Sequence, residues 1–187
     1  MLKDRIEALK VLLKDPDEQV RQAASDAIEK ISAKNEVNRY AEALSSEDVL
    51  ARSRAVFALA SIDDEKALEY LAMATADKEP KVRAHAIRIM GEKKALKYAE
   101  VIAKHMSDPD QVVRTEAIRA IGNIGNISYL PQLLQLLKER DISIVTSAIF
   151  AIGKLKDPRA EKPLIVLLSH PEPEVRIASA KALAELN

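Results

Sequence analysis

Apolar residues recur along this chain with one constant period of 31 residues. The segment that begins at Val20 returns five times without an insertion. Its first position is held by Val20, Ala51, Val82, Val113, Ile144 and Val175. Four residues later stand Ala24, Ala55, Ala86, Ala117, Ala148 and Ser179, and three residues after those stand Ala27, Ala58, Ile89, Ala120, Ala151 and Ala182. A period of this length indicates an array of equivalent supersecondary units.

These apolar positions, at steps of four and then three residues, lie on one face of an α-helix, which we name helix B. Asp15-Pro16 and Asp108-Pro109 predict its start, with Asp as the N-cap and Pro as the first helical residue. An acidic residue recurs two positions after that predicted cap: Asp17, Asp48, Glu79, Asp110, Asp141 and Glu172. Helix B is therefore predicted over 16–31 and the 31-residue equivalents, with the Ala24 and Ala27 rows buried.

A shorter apolar segment precedes each helix B and predicts a helix A. In the fifth copy it contains Leu130, Leu133, Leu134, Leu136 and Leu137. The chain thus divides into six two-helix units: 1–31, 32–62, 63–93, 94–124, 125–155 and 156–187. A hairpin of this size cannot bury its apolar face alone, so we expect the six to stack into one all-α solenoid domain over 1–187.

The repeated pattern Asp-Pro-x-x-x-Val-Arg-x-x-Ala-x-x-Ala-Ile resembles the short HEAT-like repeat of phycobilisome lyases. The resemblance covers the whole chain. It implies a right-handed α-solenoid of six HEAT-like repeats, with the A helices on the convex side and the B helices lining the concave face. Members of that family include bilin lyases, scaffolds and adaptors, so the resemblance implies the fold more narrowly than the function.

Charge and residue usage exclude several function classes. Lys+Arg and Asp+Glu both number 29, and this balance disfavours nucleic-acid binding, which usually needs a basic excess. The absence of cysteine excludes disulfides and cysteine-ligated zinc. With no membrane-length apolar run and no apolar signal core, we expect a cytoplasmic protein without membrane contact. No HExxH motif, nucleophile elbow or phosphate loop is present, so no metal, cofactor or catalytic residue is predicted.

One row of helix B positions suggests a binding surface. Six residues after the first position stand Asp26, Phe57, Arg88, Arg119, Phe150 and Lys181. The row contains both phenylalanines of the protein with two arginines between them, and these residue types are enriched in binding hot spots. We predict a concave binding ridge of Phe57, Arg88, Arg119 and Phe150, with small residues two and nine positions after the first position leaving it in a groove. The flanking residues are Arg54, His85, Glu116 and Ser147. The alternative is that the phenylalanines fold into the core and the arginines are merely solvated.

A second row, made of Arg21, Arg52, Arg83, Arg114 and Arg176, suggests a structural role. We expect these arginines to pair with the acidic residues at the starts of the B helices, as a ladder along the repeats. His105 falls at an apolar position of helix A, where a buried histidine with a hydrogen-bond partner is expected. His170 occupies the predicted N-cap position of the last helix B.

The leading functional prediction is a non-enzymatic scaffold or adaptor that binds a peptide or protein segment on its concave face. One alternative is a bilin lyase or bilin-handling protein, which the family resemblance implies. Another is a nucleic-acid-binding HEAT-like protein. The last repeat exposes Ile177, Ala178 and Ala180 rather than a polar capping face, and we expect that end to meet another molecule, either a second copy or a following domain.

Overall fold

The computed structural model describes residues 2–186, and all regular secondary structure in this range is helical, with no β-strand. The two ends of the predicted 1–187 domain, Met1 and Asn187, lie outside the described residues. The α-helices are α1 (Leu2–Leu12), α2 (Glu18–Ala43), α3 (Val49–Ala60), α4 (Glu65–Ala74), α5 (Pro80–Glu92), α6 (Ala99–Lys104), α7 (Gln111–Ile124), α8 (Leu130–Leu136), α9 (Ile142–Leu155), α10 (Glu161–Leu167) and α11 (Pro173–Glu185). Short 3₁₀ turns at 96–98, 127–129 and 158–160 lead into α6, α8 and α10, and another at 105–107 follows α6.

The chain forms two compact units, residues 1–67 and 68–187. In the first unit α1 packs on α2, and α2 packs on α3. The predicted break between the first and second repeats at residue 31 is wrong, because α2 runs without interruption from Glu18 to Ala43. The linking sequence Ser32-Ala33-Lys34-Asn35 contains no proline or glycine to stop a helix. The single 1–187 domain and the count of six repeats stay predictions.

The second unit is a regular stack in which α5 packs on α7, α7 on α9, and α9 on α11. These are the B helices of the last four repeats, and α6, α8 and α10 pack on α7, α9 and α11 respectively. The predicted burial of the Ala24 row is confirmed at all six positions. The row that begins with Ala27 is buried from Ile89 onwards, but Ala27 and Ala58 are only half-buried.

Glycines set the close spacing of the stacked B helices. A Cβ atom built on Gly122 would lie 2.4 Å from the Ala151 Cα, and one on Gly91 would lie 2.6 Å from the Ala120 Cα. The same contact joins Gly153 to Ala182, where the nearest distance is 3.0 Å. These glycines stand nine residues after the first position of the repeat, where the sequence predicts small residues that open a groove. That interpretation is wrong for Gly91 and Gly122, which are buried against the next helix. Gly153 is buried against the next helix too, but it also lines a groove between α9 and α11.

In the first unit, α2 and α3 have no such glycine–alanine contact. The residue of α2 that is equivalent to those glycines is Glu29, which is exposed. α3 therefore has no glycine surface on α2 against which Ala58 could close, which explains why Ala58 is only half-buried.

The N-caps of the B helices are two residues later than predicted. The Asp17 carboxylate accepts hydrogen bonds from the amides of Gln19 and Val20, at 2.8 and 3.3 Å. Asp48, Asp110 and Asp141 cap α3, α7 and α9 in the same way. The predicted cap Asp15 instead accepts from the Asp17 amide, at 2.9 Å. The acidic row is thus the row of caps, and the preceding Asp orders the turn that leads to it.

The Asp108 carboxylate and the His170 ring occupy the same turn position as Asp15. Asp108 accepts from the Asp110 amide at 3.0 Å, and the His170 Nδ1 accepts from the Glu172 amide at 3.1 Å. The prediction that these two residues are N-caps is therefore wrong by the same two residues. Both fold the turn by accepting the amide of the true cap residue.

The arginine row fastens each B helix to the turn before it. The Arg114 guanidinium donates to the carbonyl oxygens of Asp108 and Pro109, at 2.8 and 3.0 Å. Arg21, Arg52, Arg83 and Arg176 donate to the carbonyls six and five residues before them in the same way. The predicted arginine–carboxylate ladder is wrong at Arg114, where both acceptors are backbone carbonyls. It is confirmed at Arg83, which also contacts Asp108 in the turn of the next repeat, at 2.7 Å.

Two lysines adopt a left-handed backbone conformation at a position that another repeat fills with glycine. Lys94 and Lys156 have φ of 51° and 54°, and the equivalent residue between them, Gly125, has φ of 78°. A Cβ atom in this region costs about 1–2 kcal/mol, whereas glycine adopts it freely. The two lysines therefore strain the ends of α5 and α9.

Replacing Lys94 by Gly is expected to raise the free energy of unfolding by about 0.5–1 kcal/mol, because the strain relieved exceeds the extra freedom that glycine gives the unfolded chain. Urea unfolding followed by circular dichroism measures the change. Lys81→Gly, on the exposed face of α5, is the control and should instead cost about 1 kcal/mol. Equal destabilisation by both changes would contradict the argument from backbone strain.

Candidate binding surface

The B helices of the second unit bring three of the four predicted ridge residues together. Arg88 on α5 and Arg119 on α7 line one cavity, and the Arg119 Cζ lies 4.5 Å from the centroid of the Phe150 ring on α9. Phe57 is on α3 in the first unit, where its side chain is 45% exposed. The exposure of Phe57 and the half-exposure of Phe150 argue against the alternative that both phenylalanines belong to the core.

The first cavity is a polar groove of about 390 Å³ that runs from α5 across α7 to α9. It is lined by Arg88, Glu92, Thr115, Glu116, Arg119, Ala120, Asn123, Ser143, Thr146 and Ser147. Arg88 forms an ion pair with Glu92 at 2.7 Å, one helical turn further along α5. Arginines, carboxylates, hydroxyls and an amide thus offer both donors and acceptors to a bound segment.

Glu116 is half-buried in this polar groove. Burial raises the pKa of its carboxyl group, and Glu92 adds to the rise, while Arg119 and Arg88 oppose it. The four charged side chains are therefore electrostatically coupled. A ligand that places a charge in the polar groove would therefore change the electrostatic energy of these side chains.

Two cationic side chains, Arg119 and Lys154, lie over the Phe150 ring. The Arg119 Cζ is 4.5 Å and the Lys154 Nζ 5.7 Å from the ring centroid, both within the range of a cation–π interaction. These contacts hold Phe150 at the boundary between the polar groove and a second, apolar groove.

The apolar groove lies between α9 and α11 and has a volume of about 530 Å³. It is lined by Thr146, Phe150, Gly153, Lys154, Glu174, Ile177, Ala178, Lys181, Ala182 and Glu185. The Ile177 side chain is 55% exposed along this groove. The sequence identified Ile177 and Ala178 only as an uncovered end of the array. The 31-residue register places Lys181 in the same row as Arg119 and Phe150, although the predicted ridge did not include it.

The flanking residues divide between the two units. Arg54 is exposed on α3, while Glu116 and Ser147 line the polar groove, although Ser147 is only 6% exposed. His85 is half-buried on α5, and burial lowers its pKa, as do the nearby charges of Arg88 and Lys81. A neutral imidazole is therefore favoured there.

A family model for HEAT repeats matches the chain over residues 6–80, 71–149 and 130–187. The chain belongs to the HEAT-repeat family. Its fold is the α-solenoid that the sequence predicted, while the hand of the array and the face lined by its B helices stay predictions.

Solved structures support the HEAT-repeat assignment at the level of the fold. The complex of CpcE and CpcF of phycocyanin lyase from Nostoc sp. PCC7120 matches with a TM-score of 0.71 and 20% identity, over 81% of this chain and 65% of that chain. The Escherichia coli protein YibA matches with a TM-score of 0.66 and 22% identity, over 98% and 72%. A designed armadillo repeat protein in complex with the peptide (KR)4 matches with a TM-score of 0.59 and 23% identity, over 100% and 99%.

Functionally curated proteins gave no significant match to this HEAT-repeat chain. Along residues 2–186, no helix combines the length and apolarity needed to cross a bilayer. In the same range, no three His, Cys, Asp or Glu side chains converge as a set of metal ligands.

Proposed function

We propose that this HEAT-repeat protein is a non-catalytic scaffold or adaptor that binds a peptide or protein segment along the B-helix surface of α5, α7, α9 and α11. The observation that carries the proposal is Arg119, which is exposed and stacks on Phe150 where the polar and apolar grooves meet. Arginine and aromatic side chains dominate the energetics of protein interfaces. A polar groove beside an apolar one suits a segment that carries acidic groups next to apolar side chains.

The structural relatives are consistent with this proposal. A designed armadillo repeat protein has been solved with a bound peptide, and it aligns with the whole of this chain. That peptide is basic, whereas the B-helix surface of this chain presents unpaired cations around Phe150. We therefore expect a partner of opposite charge.

Bilin binding is the second candidate, because the phycocyanin lyase complex shares this fold with a TM-score of 0.71, and Arg88 and Arg119 could pair with the two propionates of a bilin. Adding a free bilin and recording its visible absorbance distinguishes this candidate from the first. A shift that Arg88→Ala and Arg119→Ala together remove would favour bilin handling. Nucleic-acid binding is less favoured, since Glu92, Glu116, Glu174 and Glu185 line the same two grooves.

Replacing Arg88 and Arg119 together by Ala is expected to abolish most partner binding. Both side chains are at least partly exposed on helices, and the Arg88–Glu92 pair is worth only about 0.2–0.5 kcal/mol, so the melting temperature should stay nearly unchanged. Affinity capture with the wild-type chain and with the variant, compared band by band, measures the effect. The matched control is Lys138→Ala with Lys162→Ala, which removes two exposed positive charges elsewhere. Partners retained by the variant with both arginines replaced would contradict the proposal, and so would an equal loss of partners by the control.

The phenylalanines test whether the ridge is structural. Phe150→Ala and Phe57→Ala should each lower the free energy of unfolding by clearly less than the ~3–5 kcal/mol typical of a core phenylalanine, because neither ring is fully buried. The same changes should weaken partner binding. A loss of stability at the full core value would make these rings structural and remove them from the binding surface.

A further inference from the structure

The apolar groove between α9 and α11 has walls of fixed shape. Gly153 closes onto Ala182 at its base, and this contact holds the two helices together. Phe150 forms one wall, and its ring is held by Arg119 and Lys154. Ile177 forms part of the other wall. The volume of about 530 Å³ lies within the ~300–1,000 Å³ range of sites that bind small molecules, and it can accept a bulky side chain with the backbone around it.

Two lysines, Lys154 and Lys181, line this apolar groove. Lys154 and Lys181 are close in sequence to the Gly153–Ala182 contact, whereas Glu174 stands eight residues before Ala182, about 12 Å away along α11. The other lining carboxylate, Glu185, forms an ion pair with Lys156 at 3.6 Å. Among residues 2–186, Arg119, Lys154 and Lys181 form no ion pair with a carboxylate. The groove is therefore an apolar cleft lined by two lysines, Lys154 and Lys181, that form no ion pair with a carboxylate within the described part of the chain.

We propose that this groove is the specificity subsite of the binding surface, and that it takes a bulky apolar side chain of a partner segment whose Asp or Glu lies within two residues of it. The apolar side chain packs between Phe150 and Ile177, and the carboxylate binds Lys154 and Lys181, with Arg119 beside them. This inference rests on the proposed function and narrows it to one class of peptide. It also gives Ile177 and Ala178 a role different from the predicted contact with a second copy of the chain or a following domain.

A random peptide library displayed on phage, selected on the immobilised full chain, tests the subsite. Enriched peptides should place Asp or Glu within two positions of Phe, Trp, Leu, Ile or Met. Their synthetic versions, labelled with fluorescein, should bind Ile177→Ser about tenfold more weakly, because the exposed apolar wall is lost. The matched control is Val166→Ser, a similar change at a side chain that is 73% exposed on α10 and should leave affinity unchanged.

A second variant tests whether Lys154 and Lys181 bind the carboxylate of the partner. Lys154→Gln with Lys181→Gln should weaken the same peptides about three- to tenfold and reduce the salt dependence of binding, while Lys138→Gln with Lys162→Gln should not. Enrichment of basic peptides, no enrichment at all, or equal binding to Ile177→Ser and Val166→Ser would overturn the subsite.

The outcomes separate the subsite from the proposed function. Peptides that lose affinity for the Arg88→Ala and Arg119→Ala variant but not for Ile177→Ser leave the binding surface standing and remove the subsite. Peptides whose affinity is unchanged in both variants would remove the subsite and the proposed binding surface alike. Sedimentation that shows a dimer dissociated by Ile177→Ser would assign the groove to a second copy of the chain and overturn the peptide assignment.

Discussion

Gly122→Ala is expected to lower the free energy of unfolding by about 3 kcal/mol, even though alanine is the better helix former. Helix propensity alone predicts a gain of up to about 1 kcal/mol. The added Cβ would, however, lie 2.4 Å from the Ala151 Cα and 2.8 Å from its Cβ. A backbone atom cannot rotate away, so α7 and α9 must separate, and the packing along their whole contact is lost. Urea unfolding followed by circular dichroism at 222 nm measures the sum of the two effects.

A graded series gives this prediction its control. Gly91→Ala should cost nearly as much, and Gly153→Ala less, because its new Cβ would approach Ala182 only to 3.0 Å. In α11 the equivalent residue is already Ala184, which is exposed, so Ala184→Gly should cost less than about 1 kcal/mol through propensity alone. A neutral or stabilising Gly122→Ala would mean that the B helices are not held together by these glycines.

Arg83→Ala is the other substitution with a large expected effect, at about 3 kcal/mol. The Arg83 guanidinium binds both Asp108 oxygens, through Nε at 3.0 Å and Nη2 at 2.7 Å, and joins α5 to the turn before α7. The Asp108 side chain is only 5% exposed. Removing the arginine leaves that carboxylate buried with only the Asp110 amide and the His105 ring as partners. An unpaired buried charge is among the costliest defects in a folded protein.

Arg114→Ala is the matched control for Arg83→Ala. Arg114 makes the same two bonds to turn carbonyls as Arg83 does, but its bonds include no carboxylate. It should therefore cost about 1–2 kcal/mol, and the difference between the two variants isolates the Arg83–Asp108 pair. Equal losses of stability would show that the carboxylate contributes nothing and that both arginines act only through the backbone.

The same pair makes stability depend on pH in acid. Burial by itself would raise the pKa of Asp108, but hydrogen bonds from Arg83, the Asp110 amide and His105 outweigh it and bring the pKa to about 2. Because this value is below that of the unfolded chain, the stabilisation is complete above about pH 4–5 and is lost as pH falls towards 2. The loss should be about 2 kcal/mol in the wild type and much smaller in Arg83→Ala. Unfolding curves at pH 5 and pH 2.5 for both proteins measure it.

The position and type of most helices follow from the sequence alone. The period of 31 residues, together with steps of four and three residues between apolar positions, predicts a B helix in each repeat and the burial of the Ala24 row, because the recurring apolar positions fall on one face of such a helix. It does not predict that the first B helix continues to Ala43. The same register placed Arg119 and Phe150 at equivalent positions on neighbouring helices. Position in the repeat is a local property, and the sequence carries it in full.

Local sequence patterns give a wrong prediction where two interpretations fit the same residues. Asp15 and Asp17 both precede α2, and either could cap it. The helix begins after Asp17 because Asp15 is used to fold the turn. The arginine row predicts carboxylate partners. An arginine side chain can, however, also bind the turn carbonyls five and six residues before it, and these carbonyls are present in every repeat whatever the side chain.

Tertiary structure alone decided which face of each B helix is surface. Position in the repeat predicts that Gly91, Gly122 and Gly153 all open a groove, but each meets an alanine of the next helix. Of the three, Gly153 lines the apolar groove, whereas Gly91 and Gly122 line neither of the two grooves described above. The apolar groove beside Phe150 is bounded by α9 and α11, which meet at the contact of Gly153 with Ala182. A distance between two helices depends on the contacts of both, so a repeat pattern read along one chain does not contain it. The sequence thus determined the repeat and the candidate residues, and the packing of neighbouring repeats decided which of them line a site.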